Sequence, residues 1–321
     1  MSRKWLAVAA KAAVSAVLIW YLLRKVDLDQ VTARAARLQP IDATVCLLVL
    51  VVQIAVVTAR WRLVARLIGT RLEIWTALRI LWIGMFFNQT LPSSVGGDAV
   101  RVWLLTRESI TTGKAVSLVL CDRVVGLVVL MALIFLLLPL ISTRLISDMA
   151  LRTALTVVAI VGTAGFAFFL LAGEKLAALL RRWSFTRPFG NLATDFRQLF
   201  LRPGSTTVLV SLSFLVHGLT AASVALLAWG LDLSVSFVSC LLVMPAVILV
   251  TTLPISIAGW GVRESAMVGG FGLVGVAAGD ALALSVLFGL AQIAVALPGG
   301  AIWLAGRPRA QAVNKNAGSG D

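Results

Sequence analysis

Eight apolar segments, each long enough to cross a lipid bilayer, constrain this chain more than any other feature. A transmembrane helix needs about 20 predominantly apolar residues, within a range of about 17–25. The segments of about this length are Trp5–Leu23, Ala43–Ala59, Ile74–Leu91, Ala115–Leu140, Leu151–Ala172, Ser205–Gly230, Val235–Leu253 and Ala281–Leu304. They predict an all-α fold, a polytopic membrane helix bundle.

The amino-acid composition excludes the other broad classes of protein. Of 321 residues, 60% are hydrophobic and 13% are charged, and the mean hydropathy is +0.99. An ordinary soluble domain is about 45–50% apolar and about 25% charged, which excludes a soluble enzyme, a secreted disulfide scaffold and a disordered protein. In so apolar a chain, the net charge of +14 indicates cationic cytoplasmic loops rather than a nucleic-acid partner.

A twelve-residue motif containing Pro and Gly occurs twice. Residues 90–101 read TLPSSVGGDAVR and residues 252–263 read TLPISIAGWGVR, with seven of twelve positions identical. The same offset of 162 residues superimposes apolar segments of the two halves. This duplication predicts one integral membrane domain over 1–304, with repeat 1 over about 1–142 and repeat 2 over about 150–304. Residues 305–321 are predicted to be a disordered, cytoplasmic polar tail.

The distribution of cations predicts the orientation of the repeats. We first assume that each Pro-Gly motif makes its apolar segment re-entrant, so that the segment does not cross the membrane. The loops on the same side of the membrane as the N-terminus then hold 17 Lys and Arg residues, and the loops on the opposite side hold 6. The positive-inside rule then predicts a protein of the plasma membrane with both termini on the cytoplasmic side. Each repeat has three crossings and one re-entrant segment, so the second repeat is inverted. The alternative is eight plain crossings with two kinks, which makes the repeats parallel.

The two Pro-Gly motifs have the composition of broken helices. Pro92 and Pro254 each remove a backbone donor and stop the incoming helix. Glycines permit a sharp reversal and a close approach of backbone to a ligand; those in the motifs are Gly96, Gly97, Gly259 and Gly261. Inverted repeats with paired broken helices are typical of transporters, whose substrate binds where the breaks meet.

Arg101 and Arg263 occupy equivalent positions just after the two breaks. A helix N-terminus favours an anion, and a guanidinium offers several donors in the geometry of a phosphate. The pair predicts a site for a phosphate-bearing lipid headgroup. In the alternative interpretation, the motifs are packing devices and a nearby carboxylate neutralises each Arg.

Five further polar residues near the breaks are candidates for the same site. Asp98 can cap the new helix or bind substrate, and Asn88 can line the cavity or satisfy freed carbonyls. Asp122 and Glu264 are candidates for proton coupling or for a structural ion pair. Arg123 is expected to extend to the cytoplasmic boundary, and Asp122 to pair with Arg101 or Arg263.

Other polar residues carry weaker signals. The cluster Arg60-Trp61-Arg62 is interpreted as an anchor at the membrane boundary. His217 and Gln292 are each a lone polar residue in a span, typical of an interhelical hydrogen bond. With one histidine and three scattered cysteines, the sequence predicts no metal site. It also has no nucleotide-binding motif, and no cofactor is expected.

These motifs, in this order, resemble the lysylphosphatidylglycerol synthase transmembrane region, also called the flippase-like domain family. The residues that carry the resemblance are Arg60-Trp61, Phe87-Asn88, Leu91-Pro92, Gly96-Gly97-Asp98, Arg101, Asp122-Arg123, Gly126-Leu127, Leu253-Pro254, Gly259, Gly261 and Arg263-Glu264. The resemblance implies a protein that moves an anionic lipid or lipid-linked headgroup between leaflets. It also implies a possible synthase or glycosyltransferase partner.

Full-length synthases of that family carry a soluble aminoacyltransferase domain, and this sequence ends after a short polar tail. Synthase activity is therefore not expected, and the chain is predicted not to be an enzyme. Two alternatives remain open. One is an accessory subunit of an envelope-lipid pathway, and the other is a transferase that uses a polyprenyl-linked donor.

Overall fold

The computed structural model describes Ala36 and residues 38–91, 96–144, 149–180, 187–252 and 259–306. Within these ranges every regular element is an α-helix, as predicted. The helices are α1 (Pro40–Leu67), α2 (Ile74–Thr90), α3 (Gly96–Arg107), α4 (Thr112–Arg144), α5 (Met149–Leu180), α6 (Arg187–Gln198), α7 (Pro203–Gly230), α8 (Phe237–Thr252), α9 (Val262–Gly272) and α10 (Ala278–Ala305). The predicted first span, both motif prolines and nearly all of the polar tail lie outside the described residues.

Seven of the eight apolar segments coincide with a described helix. Among the described residues, four helical stretches are long and apolar enough to cross a membrane. They are α1, residues Thr112–Leu137 of α4, α7 and α10. Helix α8 is apolar and shorter. The expected membrane helix bundle is therefore confirmed.

The helix bounds follow the internal duplication. Moved by 162 residues, α1 becomes 202–229 beside Pro203–Gly230 of α7, and α2 becomes 236–252 beside Phe237–Thr252 of α8. The same shift brings the bounds of α3 and α4 to within four residues of those of α9 and α10. The second half of the chain therefore repeats the helix order of the first.

Contacts between helices of different halves occur in equivalent pairs. Helices α1 and α7, which are equivalent, pack against each other. The contact between α2 and α10 has its counterpart between α8 and α4, and that between α1 and α10 has its counterpart between α7 and α4. This pattern is that of two repeats related by a two-fold axis. The inverted orientation of the second repeat stays a prediction.

Two helix pairs are interrupted at the Pro-Gly motifs. Helix α2 ends at Thr90 before α3 begins at Gly96, and α8 ends at Thr252 before α9 begins at Val262. Helices α3 and α9 have 12 and 11 residues. At about 1.5 Å per residue they extend about 18 Å, and neither can cross a hydrocarbon core of about 30 Å. The re-entrant path of these segments stays a prediction.

Close packing of small residues fixes α2 between α3 and α10. A Cβ on Gly97 would overlap the carbonyl oxygen of Gly84, and a Cβ on Gly299 would overlap that of Trp82. The indole Nε1 of Trp82 also donates to the carbonyl of Val295 at 2.7 Å. Because backbone meets backbone at both contacts, α2 holds the first broken helix against the end of the second repeat.

Candidate functional site

A cavity of about 250 Å³ lies at the ends of both interrupted helix pairs. Its lining comes from α2, α4, α7, α8, α9 and α10, so both repeats contribute. The lining residues are Asn88, Gln89, Arg123, Thr220, Met244, Val247, Ile248, Thr251, Gly259, Arg263, Phe288 and Gln292. Asn88 precedes the first break and Gly259 follows the second. The cavity therefore lies where the sequence predicted a substrate site.

The lining favours an anion. Its two charged residues are Arg123 and Arg263, and none of the described lining residues carries a carboxylate. Five uncharged polar side chains add donors and acceptors: Asn88, Gln89, Thr220, Thr251 and Gln292. Met244, Val247, Ile248 and Phe288 form an apolar part of the wall.

Arg101 lies behind this wall rather than in it. Its side chain is 7% exposed, with Nη1 3.3 Å from Oδ1 of Asp98 and Nη2 3.5 Å from Oδ2 of Asp122. The guanidinium stacks on the indole of Trp61 at 4.2 Å, a cation–π geometry. Among the described contacts, its Nε and Nη2 have no hydrogen-bond acceptor.

Arg101 is the middle member of a five-residue charge chain, which we define as Arg60, Asp122, Arg101, Asp98 and Arg123. Arg60 on α1 meets Oδ1 of Asp122 through Nε at 3.1 Å and Nη2 at 3.0 Å. At the other end, Nε of Arg123 donates to Oδ2 of Asp98 at 2.8 Å. Cations and anions alternate along the chain. Its Arg123 end lines the cavity, and its Arg60 end is buried against α7.

The second repeat holds its arginine differently. Arg263 donates through Nε and Nη2 to Oε1 of the adjacent Glu264, at 3.0 and 2.6 Å. Its guanidinium lies 4.6 Å from the ring centre of Trp260, and Nη1 is 3.4 Å from Oε1 of Gln292. The other oxygen of Glu264 accepts the backbone N–H of Gly261 at 2.6 Å. The Glu264 carboxylate therefore caps the N-terminus of α9 and also pairs with the cavity cation Arg263.

The motif glycines have different roles in the two repeats. Gly97 donates its backbone N–H to Oδ1 of Asn88 at 3.0 Å, and Gly96 lies against the side chain of Leu91. Gly259 and Gly261 have φ of +82° and +84°, a left-handed conformation that residues with a Cβ rarely adopt. The first pair therefore packs α3 on α2, and the second pair makes the turn into α9.

The comparison with known proteins assigns the chain to a family. The family model of the lysylphosphatidylglycerol synthase TM region matches residues 8–300. The chain belongs to this family. The match extends over every member of the charge chain and over the Arg263–Glu264 pair. No curated protein sequence matches the chain.

Within this family member, the predicted site residues form three groups. Asn88, Arg123, Gly259 and Arg263 line the cavity. Asp98, Arg101, Asp122 and Glu264 lie behind the wall, where each carboxylate pairs with an arginine. Gly96, Gly97 and Gly261 are backbone positions outside the lining. Asp122 pairs with Arg101, one of the two partners proposed from the sequence.

One interpretation of a charged cluster was wrong. Arg60 and Trp61 are not boundary anchors, because they are 6% and 0% exposed. A buried carboxylate at Asp122 requires a cation, and Arg60 provides it across two helices. Arg123 donates to Asp98 and lines the cavity. Its side chain is 41% exposed, and its extension to the cytoplasmic boundary stays a prediction.

Sequence reasoning missed two residues on α10. Gln292, interpreted as an interhelical hydrogen bond, accepts from Arg263 and also lines the cavity. Gly289 was not singled out, and a Cβ there would overlap the Arg263 guanidinium. The two lie three residues apart, on one face of a helix. In the sequence, the only available signal was a glycine and a polar residue on one face of an apolar helix.

Proposed function

We propose that this member of the family translocates an anionic lipid between the leaflets of the membrane, with the headgroup phosphate bound in the cavity. One observation carries the proposal. The cavity lies between the two helix breaks, and its charged lining residues are two arginines from different repeats. A phosphate at this place contacts both repeats at once.

Arg123 and Arg263 each pair with a carboxylate through part of the guanidinium and keep other N–H groups to donate to a ligand. Arg123 uses Nε for Asp98, which leaves both Nη groups for phosphate oxygens. Arg263 uses Nε and Nη2 for Glu264, and its Nη1 reaches Gln292 only at 3.4 Å. A planar guanidinium held by a carboxylate can still bind a phosphate through its remaining edge.

Arg101 acts in this proposal as a positioning residue. It touches Asp98 at 3.3 Å, and Asp98 in turn fixes Arg123 at 2.8 Å. Loss of Arg101 would release Asp98 and with it the cavity cation. Arg101 and Arg263 thus occupy equivalent positions in the duplicated motif but have different roles at the cavity.

The chain moves the lipid without covalent chemistry in this proposal. The apolar wall of Met244, Val247, Ile248 and Phe288 suits the glycerol and the first acyl carbons. Broken helices of two inverted repeats can open a central site to either side. The same proposal assigns the protein to the plasma membrane with both termini in the cytoplasm, because loops with 17 cations face that side and loops with 6 face the other.

The decisive experiment measures lipid movement in proteoliposomes. Purified protein is reconstituted with a fluorescent phosphatidylglycerol, and dithionite quenching reports the headgroups that reach the outer leaflet. The double variant Arg123→Ala plus Arg263→Ala is expected to lose at least about tenfold in rate, the equivalent of about 1.4 kcal/mol. The matched control is Arg79→Ala, because Arg79 forms an exposed ion pair with Glu108. A folded double variant that moves lipid at the wild-type rate would overturn the proposal.

A further inference from the structure

We propose that the cavity selects lipids whose phosphate carries a single negative charge, and that Glu264 sets this selectivity. This inference rests on the proposed function, because it concerns the same cavity. It names the charge class of the lipid: a phosphodiester is accepted, and a phosphate monoester is rejected.

The charged groups around the cavity sum to one positive charge. The charge chain contains three arginines and two aspartates, all joined by ion pairs. The second repeat adds one arginine and one glutamate. Among the described residues, four cations and three anions are therefore connected by ion pairs to the cavity wall, and two of the cations line the cavity. The lining itself contributes no acid among the described residues.

Because most of these charged groups are buried, their net charge determines which anion the cavity accepts. Asp122 and Glu264 are each 3% exposed, and Arg101 and Arg263 are each 6% exposed. Bulk water screens such groups weakly, and a buried charge without a partner is costly. A monoanion makes the site neutral. A dianion leaves one negative charge uncompensated beside Glu264 and Asp98.

Glu264 breaks the symmetry between the repeats. The equivalent position in the first motif is Val102, 162 residues earlier. Without this glutamate, Arg263 would line the cavity with no carboxylate among its described contacts. The net charge of the connected groups would then be +2. Glu264 accepts from Gly261, Ser285 and Arg263. A glutamine can still accept through one oxygen, so Glu264→Gln changes charge with little change of shape.

The test compares two lipids that differ by one charge. Dioctanoyl phosphatidylmethanol and dioctanoyl phosphatidic acid share their tails and their phosphate, and differ only in a methyl group. The second ionisation of a phosphate monoester has a pKa of about 6, so phosphatidic acid is mainly dianionic at about pH 8. Dioctanoylglycerol, which has the same tails and no phosphate, reports binding through the tails alone. Isothermal titration calorimetry of the full chain in detergent gives the three affinities.

Wild-type protein is expected to bind phosphatidylmethanol at least about tenfold more tightly than phosphatidic acid. Glu264→Gln should abolish or reverse that preference. The control Glu108→Gln alters an acid in an exposed ion pair far from the lining, and it should keep the wild-type ratio. Should Glu264→Gln fail to fold, Asp98→Asn removes a negative charge from the other side of the cavity and should shift the ratio in the same direction.

The outcomes separate this inference from the proposed function. Equal binding of both anionic lipids, with dioctanoylglycerol bound weakly, overturns the charge selectivity and leaves the anion site in place. Equal binding of all three lipids overturns both. A wild-type preference that survives in Glu264→Gln and in Asp98→Asn overturns the role of the charge count.

Discussion

Asp98 on α3 and Arg123 on α4 form an ion pair of 2.8 Å between Oδ2 and Nε, 25 residues apart in the sequence. The pair joins the start of the first broken helix to a cavity cation. Arg123 is 41% exposed while Asp98 is 12% exposed at the side chain. The carboxylate is thus a buried anchor, and the guanidinium extends from it toward the cavity.

Arg123→Lys should reduce lipid translocation while the fold is retained. A lysine ammonium is a point charge that lacks the planar fork of arginine, so it cannot hold Asp98 through one edge and a phosphate through another. We expect a loss of about tenfold in rate, measured by dithionite quenching in proteoliposomes. Arg79→Lys, on an exposed pair, is the control and should retain the wild-type rate. Unchanged transport by Arg123→Lys would show that a point charge suffices.

Asp122→Asn should destabilise the bundle. Asp122 lies between Arg60 at 3.0 Å and Arg101 at 3.5 Å, and all three are buried. Removal of one partner of a buried ion pair typically costs about 3–5 kcal/mol, because it leaves an uncompensated charge. Thermal unfolding in detergent should show a clear fall in Tm. Glu108→Gln, which breaks an exposed pair, should cost at most about 1 kcal/mol.

A second substitution separates charge from packing at Asp122. In Asp122→Asn plus Arg60→Met, the number of unpaired buried cations falls, and part of the lost stability should return. If the double variant is no more stable than Asp122→Asn alone, the loss comes from hydrogen bonding or shape at Asp122 and not from charge.

The helices could be predicted because their signal is local. Length and hydropathy define α1, α7 and α10 without reference to the rest of the chain. The duplicated motif likewise places both interruptions, since Pro removes a backbone donor and Gly permits a backbone turn that other residues rarely adopt.

The pairing of charges could not be predicted in the same way. Arg60 and Asp122 are 62 residues apart, and their contact depends on the rotation of two long helices about their axes. From the sequence, Asp122 was a candidate for proton coupling or for an ion pair with Arg101 or Arg263, and Arg60 was not among its expected partners. Sequence reasoning also treated Arg101 and Arg263 as equivalent because their motifs match. The structure separates them, since Arg101 packs under Trp61 whereas Arg263 lines the cavity.

Gly289→Ala should impair transport and also lower stability. The added methyl group would overlap the end of the Arg263 side chain and displace it. The guanidinium then leaves its place beside Glu264 and Gln292, and the buried Glu264 loses its cation, which is costly. Gly218→Ala on α7 is the matched control, because nothing lies within 4 Å of its added Cβ. A translocation rate equal to that of the control would exclude a role for the position of Arg263.

Labelling of single cysteines should establish the path of the broken helices. Thr111 follows α3, Ser234 follows α7, and both are exposed. With the N-terminus in the cytoplasm, the re-entrant topology makes residue 111 cytoplasmic and residue 234 external, and eight plain crossings reverse both assignments. In a background lacking Cys46, Cys121 and Cys240, an impermeant maleimide should label Ser234→Cys in intact spheroplasts and Thr111→Cys only after lysis. The opposite pattern would make the repeats parallel, and the cavity would then need another explanation for access from both leaflets.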